Sequence, residues 1–179
     1  MSKIIACLFV IASLAGCANF NVKESYKLSS GEKKGLLVMS LFDTMNEPAM
    51  LDYRPFGSLS KDYDLSIMIG NIQDPPDWKN PRGRLVVAEI PAGKYEFFRW
   101  RSGRGSFTTY ESVQPFSIPF TISEGKATYI GSVMVDVRES TKKFKLSVTD
   151  GSERDLSLLR QRFRNIEASD IRLEISPIQ

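Results

Sequence analysis

Apolar and polar residues alternate with a period of two along most of the chain after residue 34. Runs of this kind occupy residues 36–42, 65–69, 84–90, 95–100, 116–122, 127–137 and 144–148. Short alternating runs separated by glycine, proline and polar residues are typical of strands with one buried and one solvated face. The pattern therefore predicts a mainly β domain.

The longest of these runs predicts a strand at the centre of the core. Over residues 127–137, alternation places Val133 and Val135 on one face together with Tyr129, and Ile130 on the other. Val133 and Val135 are expected to be buried. Pro119 cannot donate a ladder hydrogen bond, so its strand is expected at a sheet edge or a bulge.

The period changes near the C-terminus. Ser152 and Asp155 resemble a helix-capping box, and apolar residues follow at helical spacing: Leu156, Leu159, Phe163 and Ile166. Residues 171–175 then alternate again and predict a last strand, expected to return to the same sheet by a β-α-β crossover. The predicted fold is a single β-sandwich-like domain with one C-terminal helix followed by a last strand.

Two connections are longer than a compact sandwich requires. Residues 43–62 and 71–83 are predicted to be loops, and loops of this length are uncommon unless they are functional. The alternative is that they pack over a sheet edge, with Trp78 as a plug.

The N-terminus carries an apolar block, residues 4–12, that follows the positive charge of Lys3. The block is shorter than the roughly 20 apolar residues of a membrane-spanning helix, so it indicates an export signal. The run Leu14-Ala15-Gly16-Cys17 ends it and resembles the lipobox of bacterial lipoproteins.

This resemblance implies cleavage before Cys17, diacylglycerol on the Cys17 thiol and an acylated, typically palmitoylated, N-terminus. Ala18 stands where an Asp commonly retains such proteins in the inner membrane. The resemblance therefore implies a lipid anchor in the outer membrane, facing the periplasm, if the source is Gram-negative, and in the cell membrane otherwise. The expected organisation is a signal peptide at 1–16, an acylated N-terminus with a flexible polar tether at 17–34, and a β-rich domain at 35–179.

Two turns carry a second resemblance. Residues 91–95 (Pro-Ala-Gly-Lys-Tyr) and 124–131 (Glu-Gly-Lys-Ala-Thr-Tyr-Ile-Gly) resemble turns of uncharacterised bacterial lipoproteins and of transthyretin-like and carboxypeptidase-regulatory β-sandwiches. This resemblance implies a sandwich fold and carries no active site.

The composition excludes several classes of active site. The chain has no histidine, and its two cysteines, Cys7 and Cys17, lie in the signal and at the acylated N-terminus. Ser–His and Cys–His nucleophiles and the usual zinc sites are therefore excluded, and we expect no catalytic residues, metal or cofactor. Because the signal removes one lysine and no acid, 23 basic side chains face 21 acidic ones in the mature chain, which gives no argument for nucleic acid.

One basic segment is a candidate contact. Arg99, Arg101 and Arg104 flank Trp100 in a predicted hairpin, and arginines beside aromatics suit anionic sugars or phosphates. The alternative is an ordinary hairpin with inward-facing aromatics. The expected function is a non-catalytic binding or scaffolding module whose partners are the bilayer, through acylated Cys17, and an envelope protein or peptidoglycan. A peptidoglycan or polysaccharide binder that uses this hairpin, and a carboxylate-dependent hydrolase, remain alternatives.

Overall fold

The computed structural model describes residues 21–29, 31–44, 49–58, 65–69, 75–104, 107–138 and 143–178. The strands are β1 (Lys34–Asp43), β2 (Ala49–Pro55), β3 (Leu65–Ile69), β4 (Trp78–Lys79), β5 (Arg82–Pro91), β6 (Gly93–Arg104), β7 (Phe107–Glu111), β8 (Ile118–Ile122), β9 (Ala127–Arg138), β10 (Lys143–Thr149) and β11 (Ile171–Leu173). One α-helix, α1 (Ser152–Arg162), and a 3₁₀ turn (Ala168–Asp170) lie between β10 and β11.

The strands form two sheets. The first sheet has the order β10-β9-β1-β5-β4, with β11 also paired to β9, and the second has the order β3-β2-β6-β7, with β8 also paired to β6. The pairs β1–β9 and β9–β11 are parallel, and all the other described pairs are antiparallel. The predicted mainly β, sandwich-like fold with one C-terminal helix and a last strand is confirmed.

The main core lies between the two sheets. Leu37, Met39 and Leu41 of β1 face the second sheet, where Phe97 and Phe120 stack with ring centroids 4.9 Å apart. Val133 and Val135 are fully buried in this core, as predicted. Pro119 lies in β8, which pairs only with β6 among the described strands, so its expected position at a sheet edge is also confirmed.

A second core covers the other face of the first sheet. The sheet contributes Leu36, Val38, Leu85, Val87, Ala127 and Tyr129, and the C-terminal region contributes Leu159, Phe163 and Ile166. The sheet is therefore buried on both faces, which explains why β1 is buried at nine of its ten positions.

A bulge in β9 overturns the predicted face of Tyr129. Val38 pairs with Tyr129 and Ser40 with Ser132, so β9 carries one residue more than β1 over this interval. Gly131 adopts φ +108° there, a conformation that glycine tolerates best. The extra residue reverses the alternation: Tyr129 joins the core under α1, while Ile130 joins Val133 between the sheets.

The prediction of a flexible tether at 17–34 is wrong for the part of that segment that the structure describes. Asn21 donates to the carbonyl of Leu85 (3.0 Å) and accepts from the Val87 amide (2.7 Å), and the Val22 amide donates to the Val87 carbonyl (2.8 Å). Val22, Tyr26 and Leu28 then pack against the second core. The segment belongs to the domain because it pairs the open edge of β5, which would otherwise offer unpaired backbone groups.

The assignment of residues 43–62 to a long loop is also wrong. Residues 49–55 form β2, the strand between β3 and β6, with Leu51 and Tyr53 buried. Trp78 lies in the short edge strand β4, where its ring packs on Phe42 at 5.1 Å. This is the position expected of a plug over a sheet edge.

Candidate functional site

The segment singled out in the sequence forms a hairpin of β6 and β7, with its tip, residues 105–106, outside the described part of the chain. Asp52 pairs with Arg99, whereas Tyr53 pairs with Phe97, so β6 bulges at Phe98. Because of the bulge, Phe98 and Arg99 both lie on the outer side of the sheet. Trp100 points inward and is 1% exposed, stacked on Phe144 at 5.7 Å.

Asp52 of β2 holds both candidate arginines that the structure describes. Its Oδ2 accepts from Arg99 Nε at 2.6 Å and from Arg101 Nε at 2.8 Å, and its Oδ1 accepts from Arg101 Nη2 at 2.8 Å. The Asp52 side chain is fully buried, while those of Arg99 and Arg101 are 21% and 19% exposed. The carboxylate therefore fixes two arginine side chains that are each about one fifth exposed.

A second ion pair continues the same surface. Arg54 Nε donates to Glu96 Oε1 (2.8 Å), Ser117 Oγ donates to Glu96 Oε2 (2.7 Å), and the Arg54 guanidinium lies 4.4 Å from the centre of the Phe98 ring. We call these residues the outer arginine face: Asp52, Arg54, Glu96, Phe98, Arg99 and Arg101. It combines fixed guanidinium groups, which suit anionic groups such as carboxylates, with an aromatic ring.

Arg104, the third candidate, ends β6 and its backbone pairs with Phe107. Its side chain and the lipidation candidate Cys17 lie outside the described residues. The sequence analysis missed Asp52, Arg54 and Glu96. Asp52 and Arg54 alternate with the buried Leu51 and Tyr53, and this period of two is the signal that could have identified them.

A buried polar network lies at the other side of the first sheet. Asp155 of α1 is fully buried, and its Oδ2 accepts from Ser40 Oγ (2.6 Å) and Tyr129 Oη (2.7 Å). Its Oδ1 accepts from Arg154 Nε (2.8 Å), and Arg154 Nη2 also donates to the hydroxyls of Ser40 (2.9 Å) and Ser132 (3.0 Å). The capping-box interpretation is wrong, because α1 has no side-chain cap and Asp155 instead ties the helix to β1 and β9.

The network attaches α1 to β1 and β9, and its geometry does not favour proton transfer. Burial, followed by the hydrogen bond to Asp155, raises the pKa of Tyr129 above its usual range, so its hydroxyl stays a donor. Both Asp155 oxygens are already engaged as hydrogen-bond acceptors within the network.

A shallow, open depression adjoins the network. It is lined by Asp150, Gly151, Ser152, Glu153, Arg154 and Ser157. Hydrogen bonds from the side chain and backbone of Ser152 lower the pKa of Asp150. A general acid needs a raised carboxyl pKa, so this depression gives the hydrolase alternative no support.

Across the described ranges, no group of three His, Cys, Asp or Glu side chains is placed to hold a metal ion. None of the described helices has the length and apolar character needed to cross a bilayer. No protein-family model, curated protein or solved structure matches the chain. The resemblances to lipoproteins and to transthyretin-like sandwiches therefore stay predictions.

Proposed function

We propose that this chain is a lipid-anchored lipoprotein of the bacterial envelope whose β-sandwich acts as a non-catalytic binding module. The Leu14–Cys17 lipobox supports the anchor, and Ala18 favours the outer membrane in a Gram-negative source. The outer arginine face contacts an anionic envelope polymer, of which peptidoglycan is the first candidate. The observation that carries this assignment is the buried Asp52 carboxylate, which fixes Arg99 and Arg101 on the outer face of the second sheet.

The physical basis is preorganisation. A guanidinium group held by a buried carboxylate loses little side-chain entropy on binding, so its positive charge is presented to an anionic ligand in a fixed position. The Phe98 ring lies under the Arg54 guanidinium on the same face and helps to hold that cation in place. Such binding is largely electrostatic and weakens as the Debye length falls from about 10 Å at 0.1 M salt to about 3 Å at 1 M.

Removal of the arginines alone is a poor test, since it leaves the Asp52 carboxylate buried and uncompensated, at a cost of about 3–5 kcal/mol. The better variant is Asp52→Asn with Arg99→Gln and Arg101→Gln, which removes the whole ion cluster and lowers the net charge by one. Lys145→Gln is the matched control, because it lowers the net charge equally at an exposed position of β10.

The measurement is retention of the full chain on purified peptidoglycan at low and high salt. Wild type and Lys145→Gln are expected to be retained at low salt and released at high salt, whereas the triple variant is lost at both. Circular dichroism confirms that all three proteins are folded. Retention of the folded triple variant at the wild-type level would show that the outer arginine face is ordinary surface.

A further inference from the structure

The described chain begins at a fixed point on the first sheet. Asn21 uses both ends of its side-chain amide on β5, and the neighbouring Leu85 amide donates to Asp77 Oδ2 at 2.8 Å. An anchor at Cys17 would therefore be connected to the domain at the β5 edge.

The link between anchor and domain is short. Four residue steps separate Cys17 from Asn21, and a fully extended chain spans at most about 14 Å over that distance. The radius of gyration expected for a domain of this size is about 15 Å. A domain on so short a link cannot present all of its sides equally to the membrane.

Three segments meet around this point. Arg162 of α1 forms an ion pair with Asp77, and Asn165 Nδ2 donates to the Ser25 carbonyl at 3.1 Å. We call residues 21–25, 77–84 and 160–165 the anchor-side surface. These three segments hold seven basic and two acidic residues along one edge of the first sheet: Lys23, Lys79, Arg82, Arg84, Arg160, Arg162 and Arg164, with Glu24 and Asp77. By strand register Lys79, Arg82 and Arg84 lie on the face opposite α1, so basic residues flank this edge on both faces.

The charge of the molecule is thus divided unevenly. The anchor-side surface carries a formal charge of +5, although 23 basic and 21 acidic side chains give the whole mature chain +2. The rest of the mature chain is therefore net negative. A positive surface beside the anchor is complementary to an anionic bilayer, and the negative remainder is repelled by it.

We propose that the anchor-side surface rests on the bilayer and binds the headgroups of anionic phospholipids. This inference rests on the proposed anchor at Cys17.

The contact with the bilayer also sets the orientation of the domain. Trp100 of β6 stacks on Phe144 of β10, at the opposite end of the first sheet from β5. The β6–β7 hairpin is therefore directed away from the membrane, toward the space where an envelope polymer lies.

The test uses the acylated full chain, reconstituted in vesicles of phosphatidylcholine with or without phosphatidylglycerol. A single cysteine at Gln161→Cys, on the anchor-side surface, or at Val113→Cys, an exposed position after β7, carries an environment-sensitive dye. Brominated lipid is the quencher. We expect several-fold stronger quenching at 161 than at 113, and a further increase when phosphatidylglycerol is present.

Charge reversal supplies the matched comparison. Arg160→Glu with Arg164→Glu should abolish the phosphatidylglycerol-dependent quenching at 161. Lys94→Glu with Lys145→Glu, two exposed lysines outside the surface, changes the net charge equally and should preserve it. Equal quenching at 161 and 113, or quenching unaffected by the arginine reversals, overturns the inference while the anchor stands. Mass spectrometry of the purified chain tests the anchor separately. An unacylated Cys17 would overturn both the proposed anchor and the inference about the anchor-side surface.

Discussion

At the scale of single residues, the most informative side chains are buried acids whose partners come from distant parts of the chain. Asp52 is held by arginines of β6, and Asp155 by hydroxyls of β1 and β9. The sequence shows the acids but not these partners, which lie 26 to 115 positions away. The sequence pattern alone therefore predicts a capping role for Asp155 and a loop position for Asp52, and both predictions are wrong.

The buried network predicts a large effect of Asp155→Asn on stability. An amide cannot accept three hydrogen bonds as a carboxylate does, and the substitution leaves Ser40, Tyr129 and Arg154 competing for one oxygen. We expect a loss of about 3 kcal/mol in the free energy of unfolding, measured by denaturant titration. Glu153→Gln, at the exposed neighbouring position, should change it by less than about 0.5 kcal/mol. A similar small change for both variants would contradict a holding role for Asp155.

A second residue-scale prediction concerns pH. Hydrogen bonds from Lys34 and then from Tyr26 lower the pKa of Glu89. A lowered folded-state pKa gives stability that is present above the unfolded value, about 4.3, and is lost as the pH falls through the folded value. Tyr26→Phe removes one donor, so the Glu89 titration midpoint should move upward and the variant should lose more stability at neutral pH than in acid.

The measurement is a carboxyl ¹³C NMR titration of Glu89 combined with unfolding at neutral and acidic pH. Tyr95→Phe is the control, because Tyr95 donates to the Pro91 carbonyl instead of a carboxylate. An unmoved Glu89 midpoint in Tyr26→Phe would show that residues 21–28 are not held to β5 through this contact.

At the scale of elements, alternation predicted most strands, and non-local features decided the exceptions. The runs in β1, β5, β6, β8, β9 and β10 needed only a period of two. In β2 the same alternation was present, but its outward positions are charged and its compensating partners lie on β6. In β9 a single inserted residue reversed the predicted faces, and no local signal except Gly131 marks it.

The β9 bulge predicts that Gly131 is costly to replace, because it combines a positive φ with close neighbours. A Cβ there would lie 3.0 Å from the Thr149 carbonyl oxygen and from Val148 Cγ1, at φ +108°. Gly57 also has a positive φ, +77°, but a Cβ there meets nothing within 4 Å. Gly57→Ala should therefore cost only the backbone strain, about 1 kcal/mol, and Gly131→Ala at least about 2 kcal/mol, by denaturant titration. Equal costs would show that the bulge tolerates a side chain.

At the scale of the whole molecule, the two charged surfaces lie on different parts of the domain and fit different neighbours. The anchor-side surface surrounds the point where the chain reaches β5, whereas the outer arginine face belongs to the second sheet. A lipoprotein that binds an envelope polymer needs this division, with one surface for the bilayer and another for the ligand. The sequence alone shows the resemblance to a lipobox and the arginine hairpin. The docking of residues 21–28, which shortens the link, depends on contacts with β5 and could not be predicted from the sequence.

The proposed envelope location and the proposed role of the anchor-side surface both require acylation at Cys17, so this acylation is the central claim. The most direct measurement is incorporation of labelled palmitate into the full chain in a bacterial host, with membrane fractionation, for wild type, Cys7→Ser and Cys17→Ser. Cys7 is the matched control, since it is the other cysteine of the chain and lies within the expected signal. Wild type and Cys7→Ser should incorporate palmitate and fractionate with membranes, and Cys17→Ser should incorporate none. Labelled Cys17→Ser protein, or unlabelled wild type, would contradict the account.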